Sequence, residues 1–138
     1  MFQSRLFVSA FFVTVMTSLP ANTQERSLAG SEWRVESITG KQSVGETEMF
    51  IQFRDNGELS GNGGCNRFHG SYTITENNIK FGRVAATRMA CPEPVMNLET
   101  IFFDALEAAT SFEVTEYQMT LSDKSGSLLA KFFQTDRD

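Results

Sequence analysis

The stretch Gly61-Asn62-Gly63-Gly64-Cys65-Asn66-Arg67-Phe68-His69-Gly70-Ser71-Tyr72 decides how the rest of the chain is read. It opens on a glycine cluster, passes through one of two cysteines and ends in a strand pattern. Phe68, Tyr72 and Ile74 fall on one face, while Arg67, His69, Ser71 and Thr73 fall on the other. That period of two is the mark of a half-buried strand. Strict alternation places Cys65 opposite Phe68, on the outer face. A bulge or sharp bend at Gly61, Gly63 and Gly64 would turn it toward the second cysteine, Cys91. Asn66 serves the same bend, because an Asn side chain bonds nearby backbone and tolerates positive φ.

Cys91 ends a second motif, Ala86-Thr87-Arg88-Met89-Ala90-Cys91. The start of the chain bears on how the two cysteines are used. Arg5 precedes an apolar run from Leu6 to Leu19, and no acidic residue occurs before Glu25. This length fits a signal peptide and is short for a membrane span of about 20 residues. Residues 1–21 are therefore expected to be a cleavable signal, 22–27 a flexible tail and 28–138 the domain. No cysteine follows the apolar run, so a lipoprotein anchor is not expected, and the periplasm is the expected compartment. In an oxidising compartment two cysteines in a small domain are most simply a disulfide, Cys65–Cys91. Closing that loop of 27 residues is worth about 3.5 kcal/mol in the chain-entropy account.

Working outward, Trp33-Arg34-Val35-Glu36 alternates, as do Met49, Ile51 and Phe53 with their polar neighbours. Asp55-Asn56-Gly57 follows, and Asn-Gly predicts a hairpin with a type I′ turn. Ile79–Phe81, Val84–Met89, Phe112–Thr115, Met119–Ser122 and Leu128–Phe133 read as further strands. Val95, Leu98, Phe102, Leu106 and Ala109 instead recur at helical spacing, with Ile101 and Phe103 widening the face. Asn97, Glu99, Asp104 and Glu107 read as lying away from it. Residues before proline avoid helical angles, so Cys91 and Glu93 are expected to be extended and Pro94 to take the first helical position. The expected fold is mainly β (α+β): a small curved antiparallel sheet or partly open β-barrel with one amphipathic helix packed against it.

Chemistry finds little support. There is no Cys-x-x-Cys pair. Cys65 and His69 on one extended strand stand about 13 Å apart, too far for a nucleophile and its base. Cys65, Cys91 and His69, the single histidine, match no common zinc spacing. Gly61–Gly64 lacks the Lys-Ser/Thr of a phosphate loop and precedes a strand rather than a helix. No Gly-x-Ser-x-Gly elbow occurs. The expectation is no enzyme, no metal and no cofactor. Losing Arg5 with the signal makes the formal net charge of −5 one unit more negative. With no basic run, nucleic acid is not expected as a partner.

The whole pattern resembles the META domain family, which includes the heat-shock protein HslJ. The resemblance opens at Leu28-Ala29-Gly30-Ser31-Glu32-Trp33 and continues through both cysteine motifs. It closes on Met96, Glu99 and Phe102-Phe103-Asp104-Ala105-Leu106. It implies a compact β-rich fold with one helix and an HslJ-like, stress-associated envelope role tied to outer-membrane integrity and antibiotic tolerance. It brings no catalytic residues. Its motif residues here, Trp33, Gly61, Gly63, Gly64, Asn66, Phe68, Gly70, Tyr72, Thr87 and Met89, are expected to be structural.

Three modes of action follow as expectations. The first is a monomeric periplasmic accessory protein that binds an envelope partner. The second is a carrier of an apolar ligand such as a lipid, since nine phenylalanines lie beyond residue 21 and a curved sheet can enclose a cavity. The third is an interaction or inhibitor module presenting Thr39–Thr47 or Asp123–Ser127.

Overall fold

The structure is a computed structural model that describes residues 13–18, 28–39, 41–42 and 47–135. Most of the expected signal and tail, and much of the Thr39–Thr47 loop, lie outside the described residues. The first strand, β1 (Glu32–Ile38), buries Trp33, Val35 and Ile38. The pair β2 (Lys41–Gln42) and β3 (Met49–Phe53) both lie against it. A hairpin joins β3 to β4 (Glu58–Gly63), and β4 turns into the long β5 (Arg67–Thr75). Then come β6 (Asn78–Phe81), the two-residue β7 (Ala85–Ala86), helix α1 (Glu93–Ala108), β8 (Ser111–Thr115), β9 (Gln118–Ser122) and β10 (Leu128–Gln134).

All pairings are antiparallel, in the order β1-β3-β4-β5-β6-β8-β9-β10. β10 returns to β1, matching Trp33 to Gln134 and Ile38 to Ala130. The result is a closed eight-stranded barrel. Closure removes the unpaired sheet edges that an open sheet would have to protect. The narrowest join is β6 to β8, where Asn78 faces Ser111 and only flanking bonds, Ile79 N–H to Thr110 O and Phe112 N–H to Asn77 O, extend the pairing.

The helix reaches β1, β4, β6 and β10. These strands lie on different sides of the ring, so α1 crosses one barrel end. Phe102 points into the interior, 5.9 Å from the Phe68 ring and 6.4 Å from Phe132. Trp33, Phe53, Phe102, Phe132, Met119 and Leu121 are fully buried, and the barrel interior is occupied by side chains. At the opposite end Trp33 Nε1–H donates to Ser31 Oγ at 2.7 Å. Tyr72 packs edge-on against Phe53 at 4.9 Å and donates its hydroxyl to Arg54 O at 2.6 Å.

Four expectations need correction. The Asp55-Asn56-Gly57 hairpin forms, but Arg54 N–H bonds Glu58 O and only Gly57 has positive φ. It is a three-residue loop ending in a left-handed glycine, not a type I′ turn. The Val84–Met89 strand shrinks to Ala85–Ala86, because beyond Thr87 the chain is held by side-chain bonds rather than a ladder. The helix starts one residue early: Pro92 is the cap and Glu93 is helical, with Val95 and Met96 N–H closing the first turn on Pro92 O. Pro94 still lacks only an N–H that has no helical partner at that position. Finally, Glu99 is not solvated; it is 7% exposed.

Two tight hairpins carry glutamate at positive φ, Glu76 and Glu116, a conformation that suits Gly or Asn better. Phe102 tests the helix as a barrel plug. Phe102→Ala is expected to lower unfolding free energy by about 3–5 kcal/mol, measured by urea denaturation.

Candidate functional site

Both cysteines and several of the glycines and polar residues singled out from sequence converge at the helix-capped end of the barrel. β4 enters the turn Gly64-Cys65-Asn66 and leaves as β5. Gly64 has φ +110, so the turn reverses with a backbone that L side chains rarely adopt. Gly63 N–H bonds Asn66 O at 2.9 Å, and Asn62 Oδ1 accepts from Gly64 N–H at 2.8 Å. This reversal takes Cys65 off the outer face and buries it. Cys65 and Cys91 form a disulfide with Cα atoms 5.9 Å apart. Both cysteines are in this bridge, and neither is free. His69 sits exposed on β5 between Ser60 and Ala85.

The residue whose role the helical pattern did not reveal is Glu99, which is buried rather than turned away from the core. Its Oε2 accepts from Cys65 N–H at 2.9 Å and Asn66 N–H at 2.6 Å, and its Oε1 accepts from Asn66 Nδ2 at 2.7 Å. Asn66 then uses its Oδ1 to accept from Thr87 Oγ1 at 2.9 Å and from Met89 N–H at 2.7 Å. One carboxylate and one amide thus tie three segments together: the glycine turn, the strand leading to Cys91, and the helix. Each group is used by chemical type, carboxylate oxygens as acceptors and the amide as both donor and acceptor. No buried side-chain polar atom lacks a partner among the described residues.

The remaining motif residues fit around this clasp or support the barrel. A Cβ on Gly63 would stand 2.8 Å from Glu99 Cγ and Oε2 and from Phe103 Cζ, so only glycine lets the carboxylate approach. Gly61 lies against the Phe68 ring, and Gly70 faces Val84. Phe68 packs edge-on to both Phe102 and Phe103. Met89 takes part through its backbone, with its side chain exposed. Trp33 and Tyr72 sit at the other end and belong to the barrel rather than to the clasp.

The sequence matches a known domain. The META domain model matches residues 26–136. The chain belongs to the META domain family. Among solved structures, an NMR structure of a protein from Burkholderia xenovorans is similar with a TM-score of 0.65 and 23% identity, covering 80% of this chain and 85% of that one. A second NMR structure has a TM-score of 0.61 and 25% identity, covering 77% and 90%. The crystal structure of a DUF4847 family protein from Bacteroides vulgatus has a TM-score of 0.61 at 12% identity, covering 83% and 99%. These neighbours share the fold. No curated protein matches.

Within the META domain of this chain, the clasp joins the glycine turn, the Thr87–Met89 segment and the helix. Among the described residues no group of three or more His, Cys, Asp or Glu is placed to bind a metal ion. Glu99→Gln puts an N–H₂ against a donor, and Asn66 cannot flip to compensate without losing Thr87 and Met89. The expected cost is about 1–3 kcal/mol by chemical denaturation. Glu99→Gln and Asn66→Ala combined should cost less than the sum of the two, because they break one network.

Tyr72 gives a pH test. Burial first, and the Asp55 charge second, raise its phenol above the ordinary value. The fold therefore favours the neutral phenol. This contribution is complete below about pH 10 and is lost as pH rises through the raised value. Stability of wild type relative to Tyr72→Phe should be constant to about pH 10 and fall above it.

Proposed function

We propose that this META domain protein is an exported, non-enzymatic accessory of the bacterial envelope, acting in the periplasm by binding a protein partner and supporting outer-membrane integrity and antibiotic tolerance. The observation that carries this reading is the Cys65–Cys91 bridge built into the clasp. A bond that joins the glycine turn to the helix entry suits an oxidising compartment. The apolar run that opens the chain points the same way. No helix among the described residues is long and apolar enough to cross a membrane, which is compatible with export as a released protein.

Action by binding rather than catalysis is supported by how the polar residues are spent. Glu99, Asn66 and Thr87 bond one another and the backbone of the turn and of Met89. The interior of the barrel is packed with aromatic and aliphatic side chains, which favours the outer surface over a lipid-filled lumen. The Asp123–Ser127 loop is a preorganised element of that surface: Asp123 Oδ1 accepts from Ser125 N–H at 2.9 Å and Ser127 N–H at 3.0 Å.

A deletion strain challenged with detergent and hydrophobic antibiotics tests the role. Increased sensitivity is expected, restored by the full chain and not by a version beginning at Asn22. Unchanged tolerance in the deletion strain would refute the proposal.

A further inference from the structure

The wall of the barrel formed by β5, β6 and β7 gathers cations of an otherwise acidic chain. Residues 59–92 carry four Lys or Arg against one acid, whereas residues 93–123 carry seven acids and no Lys or Arg. We propose that this wall docks the protein on an anionic lipid surface, with the phosphates of lipid headgroups as its ligands. This goes beyond the reading above, which concerns a protein partner.

Register puts the cations together. Along β5, Phe68 is buried, and alternation leaves Arg67, His69, Ser71 and Thr73 exposed on the outer face. Lys80 on β6 faces Thr73 across the ladder and is exposed as well. β7 covers the part of β5 that β6 does not reach, with Ala86 opposite Phe68 and Ala85 opposite His69. Arg83, also exposed, precedes β7, and its carbonyl oxygen lies beside Gly70. Arg88 is exposed one residue after Thr87, whose N–H bonds Arg67 O at 3.0 Å. None of Arg67, Lys80, Arg83 and Arg88 forms an ion pair among the described residues. The acids nearest this wall stand at its margins. Glu58 on β4 faces Ser71, Glu76 is in the β5–β6 turn, Glu113 is on β8 and Glu93 begins the helix.

Charge, apolar company and rigidity together select a lipid surface. Each Lys or Arg close to an anionic bilayer strengthens binding about fivefold, while acids more than about 8 Å away are screened at physiological salt. A chain of net charge −5 is therefore drawn in with this wall first and held off in other orientations. Met89, next to Arg88, is 60% exposed, and Ala85, Ala86 and Ala90 are exposed in the same stretch. Apolar side chains among cations suit the headgroup boundary, where methyl groups leave water and guanidinium groups stay with phosphate. Asn66 Oδ1 holds Thr87 and Met89 in place, so the stretch is presented with little ordering left to do. A nucleic acid would call for exposed rings on which bases stack. Tyr117 and Phe133 are exposed, but they lie in the β8–β9 turn and on β10. An acidic polypeptide would answer the cations and not Met89.

The test is vesicle co-sedimentation of the chain from Asn22, which lacks the apolar run and contains every strand and the helix of the barrel. One set of vesicles holds equal parts of phosphatidylcholine and phosphatidylglycerol, the other phosphatidylcholine alone. Binding is expected to the anionic vesicles only, and it should weaken as salt rises. Arg67→Gln, Arg83→Gln and Arg88→Gln should each weaken it about fivefold, and Met89→Ser about two- to fivefold. Lys131→Gln, on β10 across the ring from β5, should leave it unchanged. Amide spectra that match wild type away from each substitution would show that the variants fold. Equal binding to both vesicles, affinity indifferent to the three arginine variants, or a loss in Lys131→Gln as large as in Arg67→Gln would overturn the proposal. So would tighter binding to polyglutamate or to a DNA oligonucleotide than to anionic vesicles, since the occupant would then be a protein or a nucleic acid. The vesicle assay reads the wall alone and the deletion phenotype reads the envelope role, so either can fail without the other.

Discussion

The carboxylate of Glu99 is buried where an ionised group is costly unless its hydration is replaced in full. Here the replacement is made by the backbone N–H groups of Cys65 and Asn66 and by the Asn66 side-chain amide. All three donors come from a single turn, and that turn presents them only because Gly64 reverses the chain and Gly63 has no side chain in the way. The helix therefore cannot dock in its observed register without the turn, and the turn's N–H groups would be left unpaired without the helix. This mutual requirement is what seats α1 across the barrel end.

The disulfide and the amide network act on the same two segments by different means. The covalent bond limits how far Cys65 and Cys91 can separate, chiefly by restricting the unfolded chain. The Asn66 side chain fixes the path between them, since Thr87 and Met89 are held at defined positions on its Oδ1. With that end stapled, the aromatic contacts from Phe68 through Phe102 to Phe132 extend the helix's hold into the barrel core. The opposite end and the outer face of β8–β10 carry none of this network.

Much of the architecture was legible in residue order. Alternation located the principal strands, helical spacing located α1, and the glycine cluster announced a reversal that would bring the cysteines together. The misreadings have specific causes. Glu99 was read as lying away from the apolar stripe, although Val95, Glu99, Phe102 and Leu106 lie on one helical face at four- and three-residue spacing. Val84–Met89 has strand-like composition, but the side chain that captures it is contributed by Asn66, 21 residues before Thr87. Asn-Gly correctly marked a hairpin, yet loop length was set by the Arg54–Glu58 bond, and that moved the left-handed position onto Gly57 alone.

Local pattern was enough for the class of fold, the single helix and the pairing of the cysteines, because these follow from periodicity, backbone freedom and compartment. Closure of the barrel was not readable there, because the β10–β1 pairing joins residues about a hundred positions apart and depends on how sheet twist accumulates around the ring. The clasp was hidden for the same reason. It is assembled from side chains on separate strands and on the helix, and a hydrogen bond between distant positions leaves no periodic trace along the chain.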